Sequence, residues 1–279
     1  MNGMATLRVG ALAMAFACVA RANEPTLTVT IRGNSASYAP AALLALPAAT
    51  GINVPADVTY GHEMTYHAVP MSTLLAGVRP DESVRLVAQD GFVATLPAAV
   101  LFGGADAATA YLAVEPTDAP WPPIKPGEAA TAGPFYVVWL RPEKGAIVRE
   151  QWPYQIVRIE TVAPLAKRFP MLAPAATVST HDPVRHGFDV YVKNCSVCHT
   201  INGGGDSTVG PDLNVPYNPT EYIRPDALRR LIRDPQSLRK WAQTRMPAFG
   251  TKVISDRELT DLLAYLRYMA DRKVGVAAR

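Results

Sequence analysis

Two cysteines separated by two residues and followed at once by a histidine constrain this chain more than any other feature. The motif is Cys195-Ser196-Val197-Cys198-His199. Covalent haem attachment needs this pattern, because each thiol adds across one haem vinyl group and the histidine then reaches the iron from one side. The motif therefore predicts one covalently bound haem c, with Cys195 and Cys198 as its anchors and His199 as an iron ligand.

Three other interpretations of the motif stay open: a redox-active cysteine pair, half of a zinc site and a chance disulfide. A four-ligand zinc site needs a second pair of Cys or His residues, and these two are the only cysteines after Cys18. A thioredoxin-like pair belongs in a βαβ unit, which the flanking sequence does not offer. The pattern favours haem attachment over all three.

The first residues are typical of an export signal. Arg8 precedes an apolar stretch over residues 9–17, and Ala20-Arg21-Ala22 is a cleavage site of the Ala-x-Ala type. We expect residues 1–22 to be a signal peptide and the mature chain to lie in the periplasm, where c-type haem is added in bacteria. The apolar stretch is short for a membrane span, and no later run reaches that length, so the mature chain is expected to have no transmembrane segment.

The end of the apolar stretch allows a second cleavage site. Ala15-Phe16-Ala17-Cys18 loosely resembles a lipoprotein site, although it lacks the aliphatic residue expected at its start. Cleavage there would leave a lipid anchor on Cys18, which is the alternative to cleavage after Ala22.

The remaining chain is long enough for two domains. Over residues 23–164, alternating or β-branched runs predict strands at Leu27–Ile31, 84–87, 92–96, 136–140 and 154–159. Asp90-Gly91 lies between two of these runs and predicts a hairpin. Six prolines over residues 116–134 predict a long loop, and the proline- and alanine-rich residues 165–180 predict an inter-domain linker.

Residues 181–279 have a helical period instead. Helices are predicted at 184–194, Pro225–Arg233 and 256–272. In the last one, four leucines at helical spacing form one face, and Ser255 is the predicted N-cap. We therefore expect a multi-domain chain with an α+β, β-rich first domain and an all-α second domain.

The second domain resembles class I cytochrome c in several separate places. Gly187, Tyr191 and Cys195 stand four apart, as on the N-terminal helix of that family. The stretch from Asp261 to Leu266 resembles its C-terminal helix, which implies that Tyr265 packs against Gly187. Gly210-Pro211-Asp212-Leu213 resembles its Gly-Pro-x-Leu segment, which implies that the Pro211 carbonyl accepts the other ring N–H of the haem histidine.

The same resemblance suggests the second axial ligand. Arg245-Met246-Pro247-Ala248-Phe249 resembles the methionine loop of the family, so the iron ligands are expected to be His199 and Met246. Met269 falls on a helix and is expected in the core, which is the ordinary place for a methionine. Ligation by His and Met fills both axial positions, so the resemblance implies electron transfer rather than chemistry at the iron.

Basic residues are concentrated before the methionine loop. Residues 178–279 carry 15 Lys and Arg against 11 Asp and Glu, whereas residues 1–177 carry 12 against 13. Some of these cations, with the indole N–H of Trp241, are candidates for binding the haem propionates, and others for attracting an acidic redox partner. The alternative is an ordinary solvated basic face. Nucleic acid is not expected as a partner. The basic residues in question are Arg224, Arg229, Arg230, Arg233, Arg239, Lys240 and Arg245.

The first domain, from about residue 27 to 160, resembles the molybdopterin-binding domain of the sulfite oxidase family in its short form. The stretches that carry the resemblance are Tyr66-His67-Ala68-Val69-Pro70, Gln89-Asp90-Gly91-Phe92, Gly133-Pro134-Phe135-Tyr136 and Trp152-Pro153-Tyr154. That family holds molybdenum through a cysteine, and residues 19–194 contain none. A molybdenum cofactor is therefore not expected, and the domain is interpreted as a cofactor-free relative used for docking. His62, Glu63 and His67 are expected to be surface groups rather than metal ligands.

These observations predict an electron carrier rather than an enzyme: an exported monohaem cytochrome with a periplasmic dehydrogenase as donor and a cytochrome or oxidase as acceptor. The first alternative is an enzyme subunit whose N-terminal domain binds a substrate or cofactor and passes electrons to the haem in the same chain. The second is a scaffold subunit whose N-terminal domain serves assembly.

Overall fold

The computed structural model describes residues 24–145, 147–207, 209–241 and 246–274. The predicted export signal, both of its cleavage sites, Cys18 and Arg245 lie outside the described residues. Within the described ranges, no helix is both long enough and apolar enough to cross a membrane.

The N-terminal region contains two β-sheets. Its strands are β1 Leu27–Ile31, β2 Asn34–Tyr38, β3 Thr50–Val54, β4 Met64–Pro70, β5 Ser83–Ala88, β6 Val93–Pro97, β7 Thr109–Val114, β8 Phe135–Leu140 and β9 Ile156–Val162. One sheet has the order β2-β1-β9-β5-β6, and the other has the order β3-β4-β7-β8. All neighbours are antiparallel except β1 and β9, which pair in parallel through Val29 and Ile159. Three short helices, α1 Pro40–Leu44, α2 Met71–Leu74 and α3 Ala98–Phe102, connect the strands.

Alternate side chains of these strands point inward and form one hydrophobic core. In β4 the residues Met64, Tyr66 and Ala68 are buried, whereas Thr65 and His67 between them are exposed, as expected for a strand with one face inward. Strand β8 is buried over nearly its whole length, although it is the last strand of its sheet. The two-sheet architecture confirms a β-rich first region.

The predicted hairpin and the predicted strands are confirmed, with shifts of one to three residues at strand ends. Gly91 has a φ of +87°, which glycine adopts without strain, and the backbone N–H of Phe92 donates to the Asp90 carboxylate at 3.0 Å. Strands β5 and β6 pair on either side of this turn.

The C-terminal region is helical. Its helices are α4 Leu165–Arg168, α5 Pro183–Asn194, α6 Pro219–Tyr222, α7 Pro225–Arg233, α8 Pro235–Leu238 and α9 Asp256–Ala270. The Asp182 carboxylate accepts the Val184 N–H at 2.8 Å and caps α5, and the predicted N-cap Ser255 accepts the Glu258 N–H at 3.2 Å at the start of α9.

Helices α5 and α9 cross at Gly187. A Cβ at this position would lie 2.0 Å from the Asp261 carbonyl oxygen and 2.7 Å from the Cβ of Tyr265, so only glycine permits this approach. The rings of Tyr191 and Tyr265 pack beside the crossing at a tilt of 41°, with their centroids 5.6 Å apart. The expected packing of Tyr265 against Gly187 is confirmed.

The segment predicted as a linker, residues 165–180, packs against these helices. Leu165 and Leu172 are buried in the helical core, and the Leu172 carbonyl accepts the Tyr265 hydroxyl at 2.8 Å. The backbone N–H of Ala175 donates to the Tyr268 hydroxyl at 3.0 Å. The segment therefore connects the two regions and also belongs to the second core.

The two regions share an interface at the cysteine motif. Val197 is buried in the core of the N-terminal region, and Cys198 packs against it. Close by, the Asp206 carboxylate pairs with Arg85 of β5 at 2.8 Å and with Arg168 of α4 at 2.6 Å. Arg85 also pairs with Glu160 of β9. Ion pairs and apolar contacts thus hold the N-terminal sheet against the segment that contains the cysteine motif and Asp206.

Candidate haem site

The cysteine motif forms a helical turn at the end of α5. The backbone N–H of Cys195 donates to the Tyr191 carbonyl at 2.8 Å, and the N–H of His199 donates to the Cys195 carbonyl at 2.8 Å. This turn places both thiols and the imidazole on the wall of a single cavity of about 440 Å³. Both thiols are free and partly buried.

The cavity brings together every site residue expected from the sequence: Cys195, Cys198, His199, Pro211 and Met246. The rest of its wall is largely apolar, as a porphyrin requires, and comes from α7, α9 and the loop after Met246. The apolar residues include Leu213, Ile223, Leu228, Leu231, Ile232, Phe249, Leu262 and Leu266. Two thiols and an imidazole on an apolar wall, with a thioether from another loop, are the donor set that haem c needs.

His199 is oriented by the segment that follows it. Its Nδ1 lies 2.8 Å from the Pro211 carbonyl oxygen, which fixes the ring and leaves Nε2 for a metal. A Cβ on Gly210 would lie 2.5 Å from the imidazole ring, so this glycine makes room for the histidine. Burial lowers the pKa of His199, although the Pro211 carbonyl opposes this effect. The neutral imidazole is the form that binds iron.

A half-buried carboxylate holds the Pro211 segment in place. Asp212 accepts the Thr200 hydroxyl at 2.9 Å and the backbone N–H groups of Gly203 at 2.7 Å and Asn214 at 2.7 Å. Burial alone raises the pKa of Asp212, but these donors outweigh burial and lower it. Asp212 therefore ties the loop after His199 to the loop that carries Pro211.

The electrostatics of the thiols differ from those of a redox-active pair. Burial raises the pKa of Cys195 to about 12 and that of Cys198 to about 11, and the nearby Glu150 carboxylate adds to both effects. Reactive Cys-x-x-Cys pairs instead have a lowered pKa. The described residues also contain no cluster of three or more His, Cys, Asp or Glu side chains suited to a metal ion. The raised pKa values weigh against the redox interpretation.

The two methionines considered from the sequence lie in different surroundings. Met246 is half-buried on the cavity wall, next to Pro247. Met269 is only 1% exposed and packs in the helical core on α9, as expected. Met246 is therefore the methionine that the cavity offers to a metal, and its role as an iron ligand stays a prediction.

The basic residues lie around the cavity rather than on its wall. Of the predicted group, those that the structure describes are absent from the cavity lining. Arg233 donates to the carbonyls of Phe249 and Ile254 and pairs with Asp256, so it holds the loop after Met246. Arg239 lies 5.2 Å from the centroid of the Trp241 ring, and Trp241 itself lines the cavity.

One polar wall residue escaped the sequence-based predictions. Glu150 belongs to the N-terminal region, in a short 3₁₀ turn at Arg149–Gln151, yet it lines the same cavity as the cysteines. No local pattern marks it, because the N-terminal domain fixes its turn and only the docking of the two regions places that turn on the cavity wall. The wall also includes Asn194, whose Oδ1 is buried without a hydrogen-bond partner.

His62 and His67 are exposed, and Nδ1 of His62 lies 2.8 Å from the Glu63 carbonyl. The Glu63 carboxylate accepts the Asn53 amide at 2.8 Å. These residues do not converge on a common point that suits a metal ion.

Comparison with known families agrees with this geometry. Residues 182–266 match the family described as cytochrome c oxidase, cbb3-type, subunit III. The match covers the C-terminal region from α5 to α9 and includes the whole predicted haem motif. No curated protein matches the chain. The C-terminal region is thus a cytochrome c domain, which implies haem c and haem-based electron transfer.

Proposed function

We propose that this protein is an exported monohaem c-type cytochrome. It carries single electrons from a periplasmic dehydrogenase or oxidoreductase to a downstream cytochrome or oxidase, and its N-terminal domain serves docking. The observation that carries this proposal is the single apolar cavity on whose wall Cys195, Cys198, His199 and Met246 meet.

Each of these residues has a distinct task. Cys195 and Cys198 would anchor haem c through thioethers, and His199, held by Pro211, would ligate its iron together with Met246. When bound, the haem would supply a one-electron iron couple. The protein would supply two iron ligands and an apolar enclosure, which would leave no position at the iron open for a substrate.

The role of Met246 is tested by comparing two methionine variants. Met246→Leu is expected to lose the methionine–iron charge-transfer band and to lower the reduction potential. Met269→Leu is the matched control, since Met269 lies in the helical core, and it should keep the band. A Met246→Leu protein that retains the band would exclude this methionine as the ligand.

The number of haems, their attachment and export are tested on the purified protein. We expect one iron per chain and haem that stays with the polypeptide on a denaturing gel. N-terminal sequencing of the mature protein should give a sequence that begins near Asn23. A lipid-modified Cys18 at the N-terminus would support the alternative cleavage instead.

A second candidate is an enzyme subunit whose N-terminal domain passes electrons to the haem. It is favoured by a cleft of about 520 Å³ in that domain, lined by Trp139, Arg141 and Trp152 among others. Trp152 is two residues from Glu150, which lines the haem cavity. Metal analysis with pterin fluorescence tests whether such an enzyme uses molybdenum. Iron as the only metal found would exclude the molybdenum form. The comparisons do not confirm the resemblance to the sulfite oxidase family.

A further inference from the structure

Glu150 is held firmly at the boundary between the two regions. Its turn is fixed on both sides: the Trp139 indole N–H donates to the Gln151 carbonyl at 2.7 Å, and the Val148 N–H donates to the Gln151 side chain at 2.9 Å. Trp152, which follows, is buried in the core of the N-terminal domain. The position of Glu150 is therefore determined by the N-terminal domain.

The carboxyl group of Glu150 lacks the partners that a buried acid normally has. The residue is only 8% exposed, and its Oε2 has no hydrogen-bond partner among the described residues. Its own backbone N–H and the charge of the exposed Arg149 favour the ionised carboxylate, but burial outweighs both and raises the pKa of Glu150. No ion pair to Glu150 is present in the described part of the chain. A buried acid with an unpartnered oxygen costs free energy, and such groups are concentrated at functional sites.

Its surroundings show what the carboxyl group faces. It lines the same cavity as Cys195 and Cys198, and its charge raises the pKa of both thiols. Asp90, in the turn between β5 and β6, is the other carboxylate that acts on Cys198. Once both cysteines are thioethers, Glu150 is the buried ionisable group that this domain contributes to the wall.

We propose that Glu150 makes the N-terminal domain part of the haem site, and that its carboxylate lowers the reduction potential of the haem. A negative charge in a poorly solvated site stabilises the ferric iron, which carries one more positive charge than the ferrous iron. Glu150 thus acts on the haem through its charge and does not bind the iron. This inference rests on the proposed binding of haem c in the cavity.

The test is a redox titration of the intact haem protein over about pH 5 to about pH 8. Glu150→Gln keeps the shape and removes the charge. At the alkaline end it should raise the equilibrium constant for haem reduction about tenfold, which is about 59 mV for a one-electron couple. As the pH is lowered, the difference in potential between the variant and the wild type should shrink, because burial raises the pKa of Glu150 above its ordinary value and the carboxyl group loses its charge when it takes up a proton.

Two variants separate charge from structure. Glu150→Asp keeps the charge and should retain most of the wild-type potential. Glu143→Gln removes an exposed carboxylate from the same domain and should leave the potential unchanged. A Glu150→Gln protein whose potential equals the wild type over the whole range overturns the proposal, as does an equal shift in Glu150→Asp.

The visible spectrum and the haem content of each variant are recorded in parallel. If the wild type holds no haem, the proposed function fails. If haem is bound normally and only the potential fails to respond to Glu150→Gln, the proposed function stands and the role of Glu150 is wrong.

Discussion

The two regions of this molecule differ in what fills their centres. The N-terminal domain fills its own core with large side chains, among them Tyr66, Phe135, Tyr136 and Trp139, all nearly inaccessible to solvent. The cytochrome c domain instead arranges its helices around an apolar cavity of about 440 Å³. The first region therefore packs its core from polypeptide alone, whereas the second would pack its interior around haem c.

The same difference is visible in the buried polar groups. In the N-terminal domain, the buried Asp57 accepts the hydroxyl of Tyr66 at 2.8 Å, the hydroxyl of Tyr136 at 3.2 Å and two backbone N–H groups. On the cavity wall, by contrast, Glu150 and Asn194 each have a buried oxygen without a partner. Of the three buried side-chain polar atoms without a partner among the described residues, two therefore lie on the cavity wall, and the third is Nε of Arg185 on α5.

The largest effect is expected from removing both haem anchors. A Cys195→Ala, Cys198→Ala double variant should bring covalently bound haem to nearly zero, because no thiol remains to form a thioether. The helical signal in far-UV circular dichroism should fall while the β-sheet signal persists. Ser196→Ala, between the two anchors, is the control and should keep its haem. Normal helical content in the haem-free double variant would contradict the difference drawn between the two regions, because the helices would then fold without haem.

Glycine substitutions probe the rigidity of each region. Gly187→Ala should lower the free energy of unfolding of the cytochrome domain by about 3 kcal/mol, because the new Cβ meets the Asp261 backbone at 2.0 Å. Gly51→Ala on β3 meets nothing within 4 Å and should change stability by about 0.5 kcal/mol or less. Denaturant unfolding followed by haem absorbance and by near-UV circular dichroism measures both. Equal effects would show that the α5–α9 crossing can relax.

A hydroxyl deletion tests whether the N-terminal core is independent of haem. Tyr66→Phe leaves the buried Asp57 with one fewer donor and should cost about 2 kcal/mol of unfolding free energy. The haem spectrum should stay unchanged. Tyr38→Phe, at a half-exposed strand end, is the control and should be nearly neutral. A change in the haem spectrum of Tyr66→Phe would mean that the two cores are coupled.

The smallest effect is expected at the interface. Asp206→Asn should cost about 1 kcal/mol, because Arg85 keeps its pairing with Glu160. Burial raises the pKa of Asp206, but Arg168 and Arg85 outweigh burial and lower it below its ordinary 3.8. The ion pairs therefore stabilise the interface above about pH 4, and their contribution is lost as the pH falls through the lowered pKa. Acid unfolding of the wild type should show this loss, and Asp206→Asn should not.

Local sequence patterns predicted much of the fold. The strand Leu27–Ile31 and the helix Pro225–Arg233 have the bounds expected from the sequence, because alternation, a proline at the first helical position and basic residues in the last turn are local signals. The cavity-lining positions of Pro211 and Met246 followed from motif resemblance. The sequence signal for each of these features lies within a few residues of the feature.

What the sequence did not reveal depends on distant contacts. The parallel pairing of β1 with β9 joins the two ends of the N-terminal domain, and no local pattern encodes it. Residues 165–180 look like a linker by composition, yet Leu172 is buried against α9. Glu150 is the clearest case, because an ordinary glutamate in a turn gains its environment only when the second domain docks.

Val197 has a consequence for how this protein can be divided. Its side chain completes the core of one domain although it lies between the two cysteines of the other. A shortened chain that begins after the linker would expose this valine and lose the carboxyl group that Glu150 supplies. The cytochrome domain of this protein therefore depends on the N-terminal domain. Fusing it to another chain requires a substitute for the surface that covers Val197.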